Sequence, residues 1–365
     1  NFTPSLQLQN LSTPSHEDFH AICYVHDADV ICMELDDDFS EPHILRQFKV
    51  DMRGGCLVYQ AGYLNLGGRL SCLGIATDNG FYLWSAGGDR MLWFVDIEAV
   101  LVLAANPKGK GKGASQPDLQ FHYTRGMAAA CPLDASSAGE GARGAHICFG
   151  SSVGGVCIYS YNGTLVRHLA PAEEGCSITC LDASAKHLVS ADEEGNVCAY
   201  SITDNYKNVM QVSTAGTNNS AVGKYCTCIC TRGGTAVAAF NTGHLRVYNI
   251  SFGQCILELT AHSRCITGMS LHPTEDFIAT CGEDQAINVW TLPTFSSGTQ
   301  STMDLSHCEH WVDSMCTGVA WMHDSHLLCV GYDSNNMFVA THHKQRDTRP
   351  EEFRQMKEMS VLLHR

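Results

Sequence analysis

The hydrophobic pattern of this chain has a period of two and runs in short stretches. In residues 261–292, AHSRCITGMSLHPTEDFIATCGEDQAINVWTL, three such stretches separate cleanly, at 265–271, 277–281 and 286–292. His-Pro-Thr-Glu-Asp divides the first two and Gly-Glu-Asp-Gln the last two. Both dividers are turn chemistry, so the pattern predicts three strands joined by tight turns. In the third, Ile287, Val289 and Thr291 alternate with Asn288 and Trp290, as the two faces of a pleated strand require.

The third stretch recurs along the chain. GFYLW at 80–84, GVCIY at 155–159, NVCAY at 196–200, HLRVY at 244–248 and AINVW at 286–290 all end on an aromatic ring. NMFVA at 336–340 lacks the ring, and VICME at 30–34, after AICYV at 21–25, is a degenerate copy. The first stretches rhyme too, as SITC at 177–180, CITG at 265–268 and MCTG at 315–318. From Tyr159 onward the rings are 41, 48 and 42 residues apart. A four-stranded propeller blade takes roughly 40–45 residues. The long interval from Trp84 to Tyr159 leaves room for insertions at 105–117, largely Gly and Lys, and 132–144, rich in Ala, Ser and Gly. Neither carries enough apolar surface to order itself. Seven repeats are expected, with third strands ending near Glu34, Trp84, Tyr159, Tyr200, Tyr248, Trp290 and Ala340.

Residues 261–290 resemble a WD repeat. Ala261-His262 stands where that family has Gly-His, Asp284 lies six residues before Trp290, and Thr280 fits the family's strand hydroxyl. The resemblance implies an all-β fold, a seven-bladed WD-repeat propeller of four-stranded antiparallel blades spanning 1–345. It also implies a structural tetrad of His262, Thr280, Asp284 and Trp290, running from indole N–H through hydroxyl and imidazole to carboxylate. The physical need is that buried polar groups find partners within one blade; a catalytic His-Asp pair is the rival reading. Elsewhere the motif thins: Asp78 lies six before Trp84 with no evident His, and blade four offers Glu194 in place of Asp. The wider pattern, including Arg125-Gly126-Met127-Ala128-Ala129, His307-Cys308 and Val330-Gly331-Tyr332-Asp333, is similar to one subgroup of the family.

The ends are less regular. Pro4-Ser-Leu-Gln-Leu8 alternates like one strand, either the first of blade one or a closing strand for blade seven. Residue 1 is Asn rather than Met, so some N-terminal sequence is expected to be missing. In TRPEEFRQMKEMSVLL at 348–363, Thr348, Pro350, Glu351 and Glu352 are helix-start residues. Phe353, Met356, Met359 and Leu363 then fall near one face, which predicts a short C-terminal helix over 348–365, laid on the propeller or docked on a partner.

Composition narrows the function. A net charge of −15 argues against binding nucleic acid or an anionic membrane surface. Nineteen cysteines, an odd number scattered through apolar runs, read as reduced, buried small hydrophobes in a cytosolic protein rather than as a disulfide framework. No signal peptide is visible, and no apolar run approaches the ~18 residues of a membrane span.

Candidate chemistry is sparse. Cys226, Cys228 and Cys230 put three thiols on one face of a strand, read as packing rather than a zinc site. His307-Cys308-Glu309-His310, with Cys316 nearby, offers better ligand types in a loop entering blade seven, where a His could instead serve a WD turn. Lys108, Lys110 and Lys112 alternate with Gly outside any phosphate-loop context, and the acidic runs at 36–38 and 192–194 read as solvated turns. No nucleophile elbow precedes a helix.

The expected function is a non-catalytic protein–protein interaction scaffold without cofactor or metal. It would be a WD-repeat subunit with protein partners in a cytosolic or cytoskeletal assembly, a cilium or other microtubule structure being one place for it. A hydrolase or metal-dependent enzyme using the propeller channel is the alternative. Partners are expected on the face where blade-entry loops and second-to-third-strand turns emerge, through Glu193, Glu194, Asp284, Asp333, His310 and Trp311. Trp311, among polar neighbours, is a candidate anchor there, packing down onto blade seven being the favoured reading. Phe353, Met356 and Met359 of the tail form the second expected surface.

Overall fold

The computed structural model describes residues 7–8, 20–26, 29–35, 43–50, 56–67, 71–105, 122–131, 144–213, 225–293, 302–311, 314–322, 326–332, 336–342 and 353–360. Within them every four consecutive strands make one antiparallel sheet, seven sheets in all. Blade one is β1 (Gln7–Leu8), β2 (His20–His26), β3 (Asp29–Leu35) and β4 (His43–Lys49). Blade two is β5 (Val58–Asn65), β6 (Ser71–Thr77), β7 (Gly80–Ser85) and β8 (Met91–Asp96), followed by the helix α1 (Ile97–Ala105). Blade three is β9 (Thr124–Ala130), β10 (His146–Ser151), β11 (Val156–Ser160) and β12 (Leu165–Leu169). Blade four is β13 (Ile178–Ala183), β14 (His187–Asp192), β15 (Val197–Ser201) and β16 (Lys207–Val212). Blade five is β17 (Cys226–Arg232), β18 (Thr235–Phe240), β19 (His244–Asn249) and β20 (Gln254–Thr260). Blade six is β21 (Ile266–Leu271), β22 (Phe277–Gly282), β23 (Ala286–Thr291) and β24 (Leu305–His310). Blade seven is β25 (Cys316–Met322), β26 (His326–Gly331), β27 (Asn336–His342) and β28 (Phe353–Ser360).

All seven expected third strands are third strands. The first strands stand side by side around a central axis, β5 beside β9, β9 beside β13, and so on to β25. β1 pairs with β2 and also lies against β25, so Gln7–Leu8 belongs to blade one, and the ring meets itself where blade one adjoins blade seven.

The core is divided among the gaps between blades. Phe81 and Leu83 of blade two pack with Phe149 and Tyr159 of blade three. Val189 and Ala191 of blade four pack with Ala236 and Phe240 of blade five. Trp311 and Ala279 pack with Cys329 and Ala340 across blades six and seven. The middle strands are buried on both faces, which is why their sequences read as near-continuous apolar runs such as HICFGS and HLVSAD. All nineteen cysteines are free thiols; thirteen are buried, which gives them the role of small apolar filler between sheets.

Two features differ from the sequence reading. The tail is not helical: β28 pairs antiparallel with β27, Met337 opposite Met359 and Phe338 opposite Glu358. Without it β27 would present an open ladder of backbone groups, and pairing that edge outweighs the helix-start signals before Phe353. The side chains of Phe353, Met356 and Met359 lie outside the described residues. The second is α1, which sequence reasoning did not anticipate. It begins where Asp96 Oδ1 accepts the Glu98 N–H at 2.8 Å, and it buries Val100 and Leu101 in the blade two–three core. The run IEAVLVLAA is apolar at every position but Glu98 and has no period to betray it. The insertions beyond Ala105 and Cys131, the lysines at 108–112 and the acidic run at 36–38 lie outside the described residues.

Truncation after residue 352 removes β28. It is expected to lower the thermal midpoint, a loss of about 2 kcal/mol shifting it by roughly 2–4 °C in a chain of this length. Hydrogen exchange would show the loss of protection concentrated in β27; unchanged protection there would contradict the pairing.

Candidate functional site

The polar tetrad of blade six is assembled. Trp290 Nε1 lies 3.0 Å from Thr280 Oγ1, which lies 2.8 Å from His262 Nε2, and His262 Nδ1 lies 2.9 Å from Asp284 Oδ1. An indole can only donate, so the bonds have one polarity. Trp290 donates to Thr280, Thr280 donates to His262 Nε2, and His262 Nδ1–H donates to Asp284. Asp284 Oδ2 also accepts the Ser263 N–H at 2.8 Å, which ties the blade-entry loop to the turn between β22 and β23. Burial holds the His262 imidazole below its ordinary range, so it stays neutral. Burial opposes ionisation of Asp284, but hydrogen bonds from His262 and Ser263 overcome it and lower its pKa. Every polar atom of the His-Asp pair is turned into the blade, which is the geometry of a brace rather than of a general base facing substrate.

Other blades keep parts of the device. In blade two Leu73 pairs with Trp84 and Ile75 with Tyr82, so an isoleucine stands where blade six has Thr280. The Trp84 indole N–H accordingly finds no partner among the described residues. Asp78 Oδ1 accepts the Leu57 N–H at 3.0 Å, so a carboxylate still ties the entry loop of this blade to its turn. In blade four the carboxylate is Glu193, not Glu194: its Oε1 accepts from Ser177 N at 2.9 Å and Ser177 Oγ at 3.1 Å. The Glu194 N–H instead donates to Asp192 Oδ1 at 3.0 Å, inside the turn.

One backbone hydrogen bond repeats in six blades and defines the entry face. The carbonyls of Leu57, Tyr123, Ser177, Tyr225, Cys265 and Met315 accept from the N–H groups of Asp78, Ser152, Glu193, Asn241, Glu283 and Tyr332, at 2.7–3.2 Å. Two residues beyond each braced position stand Tyr59, Arg125, Thr179, Thr227, Thr267 and Thr317, all of which line the central channel. In five of these blades the pairing of first and second strands skips that residue as a bulge. The hydroxyls of Thr179, Thr227 and Thr317 donate to carbonyls of their own second strands, Ala191, Ala239 and Val330, at 3.2–3.3 Å, whereas Thr267 donates across to the Cys316 carbonyl of blade seven at 2.6 Å. This is the physical content of the rhyme around Thr179, Thr267 and Thr317. In blade three the bulge falls one residue later, at Gly126, whose φ of 74° disfavours a side chain and where a Cβ would crowd the Cys180 backbone at 3.2 Å.

The bulge at Thr227 also corrects the reading of the cysteine run. Cys226 Sγ lies 3.6 Å from Cys180 Sγ of blade four, whereas Cys228 and Cys230 face the carbonyls of Thr267 and Met269 in blade six. The extra residue turns Cys226 to the opposite side, so the three thiols do not share a face.

The channel encloses about 510 Å³. At its far end half-buried Asp182 accepts the Thr231 N–H at 2.6 Å. Burial pushes the Asp182 carboxyl up to about 7, against the amides that favour its charged form. Arg232 of blade five donates to the carbonyls of His272 and Glu275 and pairs with Asp276 at 3.5 Å, clamping blades five and six together.

The remaining candidates separate. His307–His310 is not a loop but part of β24, paired opposite Val289 through Ala286. His310 is exposed at the end of that strand, and Cys308 Sγ lies 3.8 Å from its Nε2. Among the described residues no three His, Cys, Asp or Glu side chains converge on a metal position. Trp311 is no exposed anchor. Its N–H donates to the Gln285 carbonyl at 2.8 Å, and its ring is buried against Phe338 of blade seven. Gly331 makes room for it, since a Cβ there would meet the indole at 2.8 Å. Asp333 lies outside the described residues.

Two outcomes follow. Trp290→Ala is expected to cost about 3–5 kcal/mol through cavity formation, and Thr280→Val about 1–3 kcal/mol by stranding indole and imidazole together. Denaturant midpoints measure both, and a Thr280→Val protein as stable as the parent would show that the tetrad carries no strain-bearing bond. Asp182 titrates in the opposite sense from a salt-bridged carboxylate. An unfolded Asp ionises near 3.8, while the folded group holds its proton to about 7, so stability falls as pH rises through that window. Asp182→Asn should therefore stabilise the protein more at pH 8 than at pH 5, as read from thermal midpoints at the two pH values.

Comparison with known proteins agrees with this geometry. The family model described as WD domain, G-beta repeat matches residues 253–291, the tetrad repeat. Mouse WD repeat-containing protein 54 is 23% identical over 121 residues, 33% of this chain and 34% of that protein. Autophagy-related protein 16 of Arabidopsis thaliana is 24% identical over 139 residues, 38% of this chain and 26% of that protein. The chain thus covers about a third or less of the curated relatives it matches. Among solved structures, the WD40 repeats of RRP9 superpose with a TM-score of 0.64 at 14% identity, covering 91% of this chain and 88% of that one. A chain of the mitotic checkpoint complex gives 0.55 at 14% identity, covering 81% and 85%. A repeat that matches in sequence, a tetrad closed in space and seven sheets in a ring make this chain a WD-repeat β-propeller.

Proposed function

We propose that the chain is a non-catalytic protein-interaction scaffold, a subunit of a cytosolic or cytoskeletal assembly, and that its partner docks on the blade-entry face. The observation that carries this reading is the fate of the His-Asp pair. Both side chains are consumed in bracing blade six, while the entry face around it carries loops tied blade by blade by six equivalent hydrogen bonds. Loops fixed on a rigid sheet scaffold are what a recognition surface needs. Glu193, Glu194 and His310 remain on or beside that face; Trp311 supports it from beneath. A propeller of the same fold that belongs to the mitotic checkpoint complex lends support. Nineteen free thiols suit a reducing compartment. Among the described residues no helix is long and apolar enough to cross a membrane.

Affinity capture of the tagged chain, followed by cross-linking mass spectrometry of the complex, tests the proposal. Cross-links from the partner are expected to cluster at the entry loops, near Glu173, Glu174, Glu193, Glu194, Glu283 and Asp284. Cross-links confined to the outer strands β8, β12, β16 and β20 would move the surface elsewhere. Imaging of the tagged chain against microtubule markers, cilia included, tests the cytoskeletal placement.

A further inference from the structure

Six residues form a collar where the channel opens on the entry face: Tyr59, Arg125, Thr179, Thr227, Thr267 and Thr317. Arg125 is the single charge among them. Its side chain starts on blade three and passes over blade four to blade five, where Nη1 donates to Tyr225 Oη. The guanidinium carbon lies 5.7 Å from the centre of the same ring. Tyr59, stacked on Tyr123 at 4.3 Å and 16°, gives the opposite side of the opening a flat aromatic wall.

The guanidinium is underused. It has five N–H donors, and a phenol hydroxyl is its one hydrogen-bond partner among the described residues. No carboxylate among those residues forms an ion pair with it. Glu193, on the neighbouring blade, is already held by Ser177. The threonine hydroxyls of the collar cannot supply the missing charge either, since they are neutral and donate to backbone carbonyls of their own or the next sheet. A half-buried cation at the mouth of a cavity calls for a counter-anion, and a planar guanidinium matches carboxylate and phosphate oxygens in pairs.

We propose that the channel mouth seats one anionic side chain of an extended peptide, a carboxylate or a phosphate, on Arg125 between Tyr59 and Tyr225. The proposal rests on the scaffold reading and names the chemistry of the partner's docking segment. The channel's volume admits several residues of an extended chain. The net charge of −15 sets a further condition: an acidic run would be repelled by the surface at large, so the anionic residue should stand alone in a neutral segment.

The test uses the full chain and four fluorescent octapeptides of one neutral sequence, differing only at a central Glu, phosphoserine, Gln or Lys. Anisotropy titrations are expected to show saturable binding of the Glu or the phosphoserine peptide, about tenfold or more tighter than the Gln and Lys peptides. The tighter of the two anionic peptides identifies the source of the charge. Arg125→Gln should erase the preference, and Tyr225→Phe, which frees the guanidinium without removing it, should keep it; thermal melts confirm that each variant is folded. Equal binding of all four peptides, an unaltered preference in Arg125→Gln, or no saturable binding of either anionic peptide up to about 1 mM overturns the proposal. A native partner that cross-links around the entry face yet is captured equally by Arg125→Gln overturns the anion seat and leaves the scaffold reading standing. A partner found only on the outer strands overturns both.

Discussion

A sheet whose middle strands are apolar on both faces cannot be covered by solvent on either one. Leu188, Val189 and Ala191 of a single strand are all buried, as are Ile147, Cys148 and Phe149 of another. Each sheet must therefore have a neighbour on both sides, and the arrangement that gives every sheet two neighbours without end pieces is a ring. The other regularities follow from that constraint. First strands crowd the axis, so they carry small residues and bulges; outer strands meet solvent, so β8, β12 and β20 carry exposed positions along their length.

Packing of this kind fixes distance between blades more firmly than it fixes loops, and the loops have their own fastening. The repeated bond from entry carbonyl to turn amide joins two loops that would otherwise move independently. Blade six adds a side-chain network to it, blade four a single glutamate, blade two a single aspartate. The graded investment shows that the backbone bond is the common element and the tetrad its reinforcement.

Much of this was legible in the chain. The ring-terminated third strands located all seven blades, because a strand buried on both faces leaves an apolar run that turns must bracket. The tetrad was legible because four polar residue types at set spacings have few other reasons to coincide. The C-terminal strand was not, since helix-start residues are a local signal and the demand of β27 for a partner is not local. Packing of Trp311 onto blade seven was legible, but not its partner: polar neighbours in sequence say nothing about Phe338, which meets it from that blade. The cysteine run failed on a single bulge, which reverses the facing of everything before it and has no reliable mark in a lone sequence. Arg125 carried no signal at all until the collar put it among five uncharged neighbours.

The consecutive order of strands within each sheet bears on how the chain comes to be folded. No described blade waits for a segment from the far end of the chain, so each can close its ladder once its own few tens of residues have left the ribosome. Most pairings are between strands adjacent in sequence, which keeps loop-closure costs small and nucleation local. Among the described strands the long-range event is the meeting of β1 with β25, a two-residue strand against the opposite end of the ring. Assembly thus resembles the stacking of finished pieces followed by one late encounter, and the exposed faces of the first and last blades are the surfaces a chaperone would find open longest.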